Sequence, residues 1–190
     1  VFVATEDQEI IDDVHKNGGQ AILTDDTHKT GTDRIYDAFK KLAKVDIELI
    51  MNLQGDEPLM DVEDIKKLHS QMIKTKSKLG TLASNILDKR SFQNKNIVKV
   101  VTKESLDSSE FPEALNFIRE PIDEKENIYH HLGIYCYQSK TLKDFISLNQ
   151  SQNEIKNKLE QLRALDNDIK INVALAKKSP IGVDTEDDFL

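Results

Sequence analysis

The sequence has 190 residues and a formal net charge of −8, with 38% hydrophobic and 32% charged residues. This size and composition predict a soluble, single globular domain over residues 1–190. The negative charge argues against a nucleic-acid partner, and no apolar run is long enough to span a membrane. A small anionic substrate remains compatible with this charge if a metal ion reverses the potential in one cleft. The single cysteine, Cys136, excludes an internal disulfide and favours a cytoplasmic protein.

The first half of the chain alternates short apolar runs with segments of helical periodicity. Strands are predicted at 1–5, 20–24 and 47–53, and helices at 7–17, 33–44 and 61–76. This order is typical of a parallel sheet that is covered by helices on both faces. Ligands bind at the carboxyl ends of the strands in such sheets.

The second half of the chain is less regular. Strands are predicted at 97–102, 114–118, 131–137 and 169–176, helices at 139–148 and 153–165, and acidic loops at 103–113 and 120–128. Cys136 falls within a predicted strand, where a thiol is more often a packing residue than a nucleophile. Because repeats and linkers are absent from the sequence, we expect one mixed α/β unit, with 103–168 as a subdomain.

Two carboxylates follow predicted strands. Asp56 lies in L-Q-G-D-E-P-L, residues 53–59, and Asp184 lies in G-V-D-T, residues 182–185. If the two strand ends share one edge of the sheet, these carboxylates can hold Mg²⁺ and leave positions for phosphate oxygens. This pair suggests phosphoryl or nucleotidyl transfer. Each motif alone is equally compatible with an ordinary acidic turn.

A third motif, H-K-T-G-T-D-R at residues 28–34, precedes a predicted helix. Its hydroxyls, glycine and cations stand where free N–H groups at a helix N-terminus attract anions. The alternative is a polar loop in which Asp33 caps the helix.

A fourth motif, Y-H-H-L-G-I-Y-C-Y at residues 129–137, is predicted as a strand. Alternation along the strand places His131, Gly133 and Tyr135 on one face, where they can meet a polyhydroxylated ligand. The alternative is a half-buried strand without a ligand.

Other site types have no support in the sequence. No glycine-rich dinucleotide fingerprint follows a strand, and no phosphate-binding loop of the G-x-x-x-x-G-K type is present. The five histidines and the single cysteine do not fall at spacings typical of zinc ligands.

Seven stretches, taken in order, resemble the 3-deoxy-D-manno-octulosonate cytidylyltransferases, also called CMP-Kdo synthetases. They are V-A-T-E-D, H-K-T-G-T-D-R, N-L-Q-G-D-E-P, N-I-V-K-V-V, H-L-G-I-Y-C-Y, L-E-Q-L-R and G-V-D-T. The resemblance extends from residue 1 to residue 190 and implies a three-layer α/β/α nucleotidyltransferase fold, similar to nucleotide-diphospho-sugar transferases, with a mixed, mostly parallel sheet. It also implies a cytoplasmic homodimer that uses Mg²⁺ to transfer CMP from CTP to the acid sugar Kdo. The products, CMP-Kdo and pyrophosphate, would serve lipopolysaccharide biosynthesis.

The resemblance also implies roles for individual residues. Asp56 and Asp184 would bind the metal, and both would act in catalysis together with Arg119. The residues expected at the sugar are Gln54, His131, Tyr135, Glu160 and Gln161, and those expected at the nucleotide are Thr30, Gly31, Thr32 and Arg34.

The chain departs from the family pattern at three places. The basic, glycine-containing loop that holds the triphosphate is not in the sequence, and we expect this loop and its strand to precede Val1. Without them, we expect this segment to be inactive. His130 stands where the family usually has a basic residue, and F-I-R-E-P-I at 117–122 replaces the commoner F-S-R and I-P.

Three alternatives remain open. A cytidylyltransferase for another acid sugar, such as a sialic acid, would share most of these motifs, although H-L-G-I-Y and L-E-Q-L-R favour Kdo. A glycosyltransferase of similar fold would be expected to carry a D-x-D motif, whereas the third strand ends in G-D-E-P. A non-catalytic module that binds a sugar or a nucleotide is the last alternative.

Overall fold

The computed structural model of the chain describes residues 1–42, 46–123 and 126–179. Strands and helices alternate along these ranges. They are β1 (Val3–Thr5), α1 (Gln8–Lys16), β2 (Ala21–Leu23), α2 (Gly31–Lys41), β3 (Leu49–Leu53), α3 (Val62–Thr75), β4 (Leu79–Ser84), α4 (Lys89–Gln93), β5 (Lys99–Thr102), β6 (Ala114–Ile118), β7 (Ile128–Gln138), α5 (Ser139–Ile146), α6 (Gln152–Asn157), α7 (Gln161–Asp166) and β8 (Ile171–Leu175). None of the helices in these ranges is long and apolar enough to cross a membrane.

The strands form two sheets in the described ranges. β1 and β2 pair with each other, while the larger sheet has the order β6-β5-β7-β4-β8. β3 joins the larger sheet by pairing with residues 134–138 of β7, and β5 pairs with residues 128–130 of the same strand. β4 pairs with the opposite edge of β7. β3 and β5 therefore lie end to end along the same edge of β7.

The sheet is mixed, as predicted, but most of its hydrogen-bonded pairs are antiparallel rather than parallel. Among the described strands, β1–β2 and β4–β8 are parallel, and the other pairs are antiparallel. The reason is the position of β7, which is antiparallel to β3, β4 and β5 and lies between these strands. The alternation of strands and helices in the first half could not reveal this later insertion.

Side chains of β7 alternate between two hydrophobic cores, one on each face of the larger sheet. One core contains Tyr129, Tyr135 and Tyr137 of β7 with Leu142 and Phe145 of α5. The opposite core contains Leu132, Ile134 and Cys136 of β7 with Leu68 and Met72 of α3. A sheet with an apolar layer and helices on each face is a three-layer α/β/α arrangement. Burial raises the pKa of the Cys136 thiol to about 12, which agrees with a packing role for this residue.

β4 lies inside the sheet between β7 and β8, although the sequence predicts no element between 77 and 96. All six residues of this strand are buried, so its sequence, L-G-T-L-A-S, lacks the apolar–polar alternation of a half-exposed strand. A Cβ atom on Gly80 would lie 2.7 Å from Met72 Sδ and 2.8 Å from the Phe111 ring, so glycine permits α3 to pack closely there. The short helix α4 is likewise absent from the prediction.

Two helix boundaries differ from those predicted. Thr30, rather than Asp33, is the N-cap of α2, because its hydroxyl accepts a hydrogen bond from the Asp33 N–H. The predicted helix at 153–165 is divided into α6 and α7 by Lys158, which has a φ of 54°.

The segment G-V-D-T with Asp184, and the helix predicted to follow it, lie outside the described residues. The domain limits and the 103–168 subdomain stay predictions.

Candidate active site

The loop after β3 forms a turn that holds Asp56. The Glu57 N–H donates to the Gln54 carbonyl oxygen at 3.2 Å, and the Met60 N–H donates to the Glu57 carbonyl oxygen at 3.3 Å. Asp56 is half-buried at the centre of this turn. Its Oδ1 atom is buried and has no hydrogen-bond partner among the described residues.

A buried carboxylate oxygen without a donor is unfavourable unless a cation or a donor compensates it. Carboxylate oxygen is also the ligand type that Mg²⁺ prefers, so Asp56 fits a metal ligand. No group of three or more potential metal-binding side chains occurs within the described ranges. The second predicted ligand, Asp184, lies outside those ranges, so the Mg²⁺ site stays a prediction.

The Gln54 side chain lies over β7. Antiparallel pairing sets Leu53 opposite Ile134, which brings the loop that follows β3 beside Gly133. A Cβ atom on Gly133 would lie 3.0 Å from Gln54 Oε1 and 3.3 Å from Gln54 Cδ. The structure therefore joins two of the predicted motifs, Q-G-D-E-P and H-L-G-I-Y, into one surface.

His131 is buried in β7 between aromatic rings. Its ring packs edge-on against Phe117 at a centroid distance of 5.0 Å and lies 5.4 Å from the ring of Tyr135. Its Nε2 atom lies 3.0 Å from Thr81 Oγ1, and that hydroxyl lies 2.6 Å from the Ile134 carbonyl oxygen. Since the Thr81 hydroxyl donates its proton to this carbonyl, it accepts from His131 Nε2–H, and Nδ1 is the nitrogen with the lone pair.

The His131 ring is neutral at physiological pH. Burial lowers its pKa to about 3, and the nearby His130 and Arg119 add to this effect. His131 therefore acts as a neutral hydrogen-bonding group rather than as a cation. Arg119 lies two residues after Phe117, whose ring packs against His131.

Tyr135 is a neutral phenol on the same face of β7. Burial raises its pKa, Tyr137 and Glu160 raise it further, and the positive charge of Arg119 acts in the opposite direction. Arg119 and Glu160 come from distant parts of the sequence, yet both act on this tyrosine. His131 and Tyr135 are thus neighbouring rings, and the charges of Arg119 and Glu160 both act on Tyr135.

Arg119 follows β6 and is held through its backbone. The Lys99 ammonium donates to the Arg119 carbonyl oxygen at 2.9 Å and to the Asn94 carbonyl oxygen at 2.9 Å. The Lys99 side chain is fully buried, and burial lowers its pKa. Lys99 belongs to the motif N-I-V-K-V-V, whose role the sequence alone does not predict, and its contacts identify it as a support for the end of β6.

Glu160 precedes α7 and is reached by two threonines of the segment predicted to bind the nucleotide. Thr32 Oγ1 donates to Glu160 Oε2 at 2.7 Å, and Thr30, whose hydroxyl donates to Asp33 Oδ2 at 3.0 Å, lies near the same carboxylate. Arg163 Nη2 lies 3.5 Å from the other carboxylate oxygen, Oε1. Burial raises the pKa of Glu160, and the threonine hydrogen bonds oppose this rise. The next residue, Gln161, is buried at the start of α7.

A buried ion pair between Arg163 and Glu154 holds the Arg163 side chain beside Glu160. Arg163 donates from Nε and Nη2 to the two carboxylate oxygens of Glu154, and its guanidinium lies 4.7 Å from the centroid of the Phe145 ring. Glu154 also completes a capping box with Ser151 at the start of α6. Arg163 is the last residue of the motif L-E-Q-L-R, and the sequence alone predicts no role for it. The capping-box pattern S-Q-N-E at 151–154 was the available signal for its partner.

The other predicted nucleotide residues have different surroundings. A Cβ atom on Gly31 would meet no atom within 4 Å, so the start of α2 borders open space. Arg34 donates to Thr24 Oγ1 at 2.8 Å and forms an ion pair with Glu6. The first turn of α2 therefore has an open side at Gly31, whereas the Thr32 hydroxyl points towards Glu160. The roles of all these site residues stay predictions.

Comparison with known proteins assigns the family. The sequence matches the cytidylyltransferase family over residues 1–171. A 3-deoxy-manno-octulosonate cytidylyltransferase from Thermodesulfovibrio yellowstonii is 42% identical over 205 residues, covering 100% of this chain and 78% of the relative. The enzyme with the same description from Paramagnetospirillum magneticum is 37% identical over 191 residues, covering 100% of this chain and 77% of the relative.

Solved structures give the same assignment. A CMP:2-keto-3-deoxy-manno-octonic acid synthetase complexed with CTP is 32% identical with a TM-score of 0.88, covering 100% of this chain and 77% of the other. A 4-diphosphocytidyl-2C-methyl-D-erythritol synthase from Anaerococcus prevotii is 18% identical with a TM-score of 0.54, covering 96% of this chain and 74% of the other, and it shares the fold alone. These matches confirm the predicted α/β nucleotidyltransferase fold, and the chain belongs to the 3-deoxy-manno-octulosonate cytidylyltransferase family of nucleotidyltransferase enzymes.

Proposed function

We propose that the protein transfers CMP from CTP to Kdo and releases pyrophosphate. The observation that carries this proposal is the convergence of hydrogen-bonding groups on one face of β7. Gln54 lies over Gly133, the rings of His131 and Tyr135 are 5.4 Å apart, and Glu160 acts electrostatically on Tyr135. Such a set of neutral and charged groups suits a sugar with many hydroxyls and one carboxylate.

In the proposed reaction, the anomeric hydroxyl oxygen of Kdo attacks the α-phosphorus of CTP. A new O–P bond forms, the bond from the α-phosphorus to the bridging oxygen breaks, and pyrophosphate leaves. The proton of the hydroxyl passes to water. Because both substrates are anions, catalysis would depend mainly on neutralising and aligning them, and Arg119, whose positive charge acts on His131 and Tyr135, would neutralise part of this charge.

The proposal includes a Mg²⁺ ion held by Asp56 and Asp184. The buried Asp56 Oδ1, which lacks a hydrogen-bond partner within the described ranges, supports the first ligand. When bound, the ion would neutralise phosphate oxygens and lower the pKa of the attacking hydroxyl. Thr30, Gly31 and Arg34 are proposed to line the nucleotide cleft, since the start of α2 is open at Gly31.

The remaining parts of the proposal follow from the family. The product CMP-Kdo would supply lipopolysaccharide biosynthesis, and the enzyme would act in the cytoplasm as a homodimer. A buried and unpaired Cys136 is compatible with a reducing compartment.

The test is an assay of the full-length protein with CTP, Kdo and Mg²⁺. We expect pyrophosphate release that requires all three, together with a product of the mass of CMP-Kdo. A parallel reaction replaces Kdo with a sialic acid. Preference for the sialic acid would establish the alternative acid-sugar activity, and pyrophosphate release that does not depend on any acid sugar would contradict the proposal.

A further inference from the structure

The Thr32 hydroxyl donates its proton to a partner inside the protein. The residue lies in the first turn of α2 and is only 2% exposed. Its hydroxyl donates to Glu160 Oε2 at 2.7 Å. A threonine hydroxyl has one proton to donate, and the bond to Glu160 uses it. This hydroxyl therefore has no free proton to donate to a nucleotide, although the family resemblance implies that Thr32 lines the nucleotide cleft.

Glu160 is held from two sides. Thr32 engages Oε2, while Arg163 Nη2 lies 3.5 Å from Oε1 and is itself fixed by the buried carboxylate of Glu154. A free glutamate side chain populates several rotamers, and these contacts select one of them. The carboxylate keeps further lone pairs that can accept hydrogen bonds from sugar hydroxyls.

We propose that Thr32 is a positioning residue for Glu160 and thereby sets the affinity for the acid sugar rather than for the nucleotide. This inference rests on the proposed function, because it takes Glu160 as a sugar contact. Neighbouring residues in the first turn of α2 would then serve different substrates. Gly31 borders open space, where the nucleotide is proposed to bind, and Thr32, the next residue, faces inward to Glu160.

The test compares Thr32→Val, which keeps the shape and removes the hydroxyl, with Thr32→Ser, which keeps the hydroxyl. We expect Thr32→Val to raise the KM for Kdo about tenfold, as for loss of one hydrogen bond to a charged group, and to leave the KM for CTP within about twofold. Thr32→Ser should stay within about threefold of wild type for both substrates. Thr32→Cys, whose thiol is a weak donor and which lacks the methyl group just as Thr32→Ser does, should show the same selective loss as Thr32→Val if the latter folds poorly.

The matched control is Thr102→Val. Thr102 is as buried as Thr32, at 2% exposure, but its hydroxyl donates to the Glu104 carbonyl oxygen at 2.7 Å. This variant should leave both KM values unchanged. A cycle with Glu160→Gln adds a second readout, because Thr32→Val should have less than about a twofold effect on the KM for Kdo once the carboxylate has been replaced.

The outcomes separate the inference from the proposed function. If wild type releases no pyrophosphate with Kdo, the proposed function fails, and the same variants are then compared with whichever acid sugar is active. If wild type is active but Thr32→Val and Thr32→Cys raise the KM for CTP as much as the KM for Kdo, the inference is overturned. Equal losses in Thr32→Ser and Thr32→Val would also overturn it, since they would indicate a packing role.

Discussion

Gln54 occupies the space that a side chain at residue 133 would need, with Oε1 only 3.0 Å from the position of a Cβ atom on Gly133. The loop after β3 and the strand β7 are far apart in the sequence, and this contact makes them parts of one surface. The glycine of H-L-G-I-Y is therefore explained by a close approach of another side chain. Its φ value is not in the left-handed region that favours glycine.

Gly133→Ala should move the Gln54 side chain and weaken sugar binding while leaving the fold intact. The contact of 3.0 Å is too short for a methyl group, but Gln54 is exposed and its side-chain amide can shift. We expect the KM for Kdo to rise about fivefold to tenfold, with little change in the thermal midpoint. A double-mutant cycle supplies the control, because Gly133→Ala should have little effect in a Gln54→Ala background. Equal effects in both backgrounds would show that Gln54 is not involved.

Asp56→Asn should abolish most activity without unfolding the protein. Its Oδ1 atom is buried with no hydrogen-bond partner among the residues described, so loss of the charge removes a metal ligand and breaks no hydrogen bond at that atom. We expect turnover to fall by at least about a hundredfold at ordinary Mg²⁺ concentration, measured as pyrophosphate release. Asp61→Asn is the matched control, since Asp61 caps α3 and asparagine caps a helix equally well. Near-normal turnover of Asp56→Asn would remove Asp56 from the metal site.

The positions of Gln54 and Asp56 could be predicted from the sequence because local signals mark them. An apolar run that ends in glycine and proline locates the carboxyl end of β3. The contact of Thr32 with Glu160 could not be predicted, because these residues are 128 positions apart and nothing local links them. β4 was missed for a different physical reason, since both of its faces are buried and alternation is absent. Long-range pairing and packing thus decide the features that local pattern does not specify.

Lys99→Met should destabilise the protein and reduce turnover. The ammonium of Lys99 is the donor to the Asn94 and Arg119 carbonyl oxygens, and methionine leaves both without it. We expect the free energy of unfolding to fall by about 1–3 kcal/mol. Leaving two carbonyl oxygens without a donor costs more free energy than is gained by removing a buried charge. Urea unfolding at pH 7.5 measures this change, and pyrophosphate release measures the accompanying loss as Arg119 shifts. The control is Lys103→Met at an exposed position, and unchanged stability of Lys99→Met would contradict the support role.

His131 should make the folded state less stable in acid. Its pKa is about 3 in the folded protein because of burial, whereas the unfolded value is near 6.5. As the pH falls below 7, the unfolded chain takes up a proton that the folded protein does not, so the equilibrium shifts towards unfolding down to about pH 3. Between pH 7.5 and pH 5 this one group should remove about 2 kcal/mol from the free energy of unfolding.

The His131→Gln variant isolates this contribution. Glutamine keeps a donor for Thr81 but does not titrate, so the loss of stability between pH 7.5 and pH 5 should become smaller by about 2 kcal/mol. A smaller dependence will remain, because burial also lowers the pKa of His130. His69→Gln serves as the control, since His69 is exposed on α3, and it should keep the full wild-type dependence. If urea unfolding gives the same pH dependence for His131→Gln and wild type, the pKa of His131 is the same in the folded and unfolded states, and burial does not keep its ring neutral in acid.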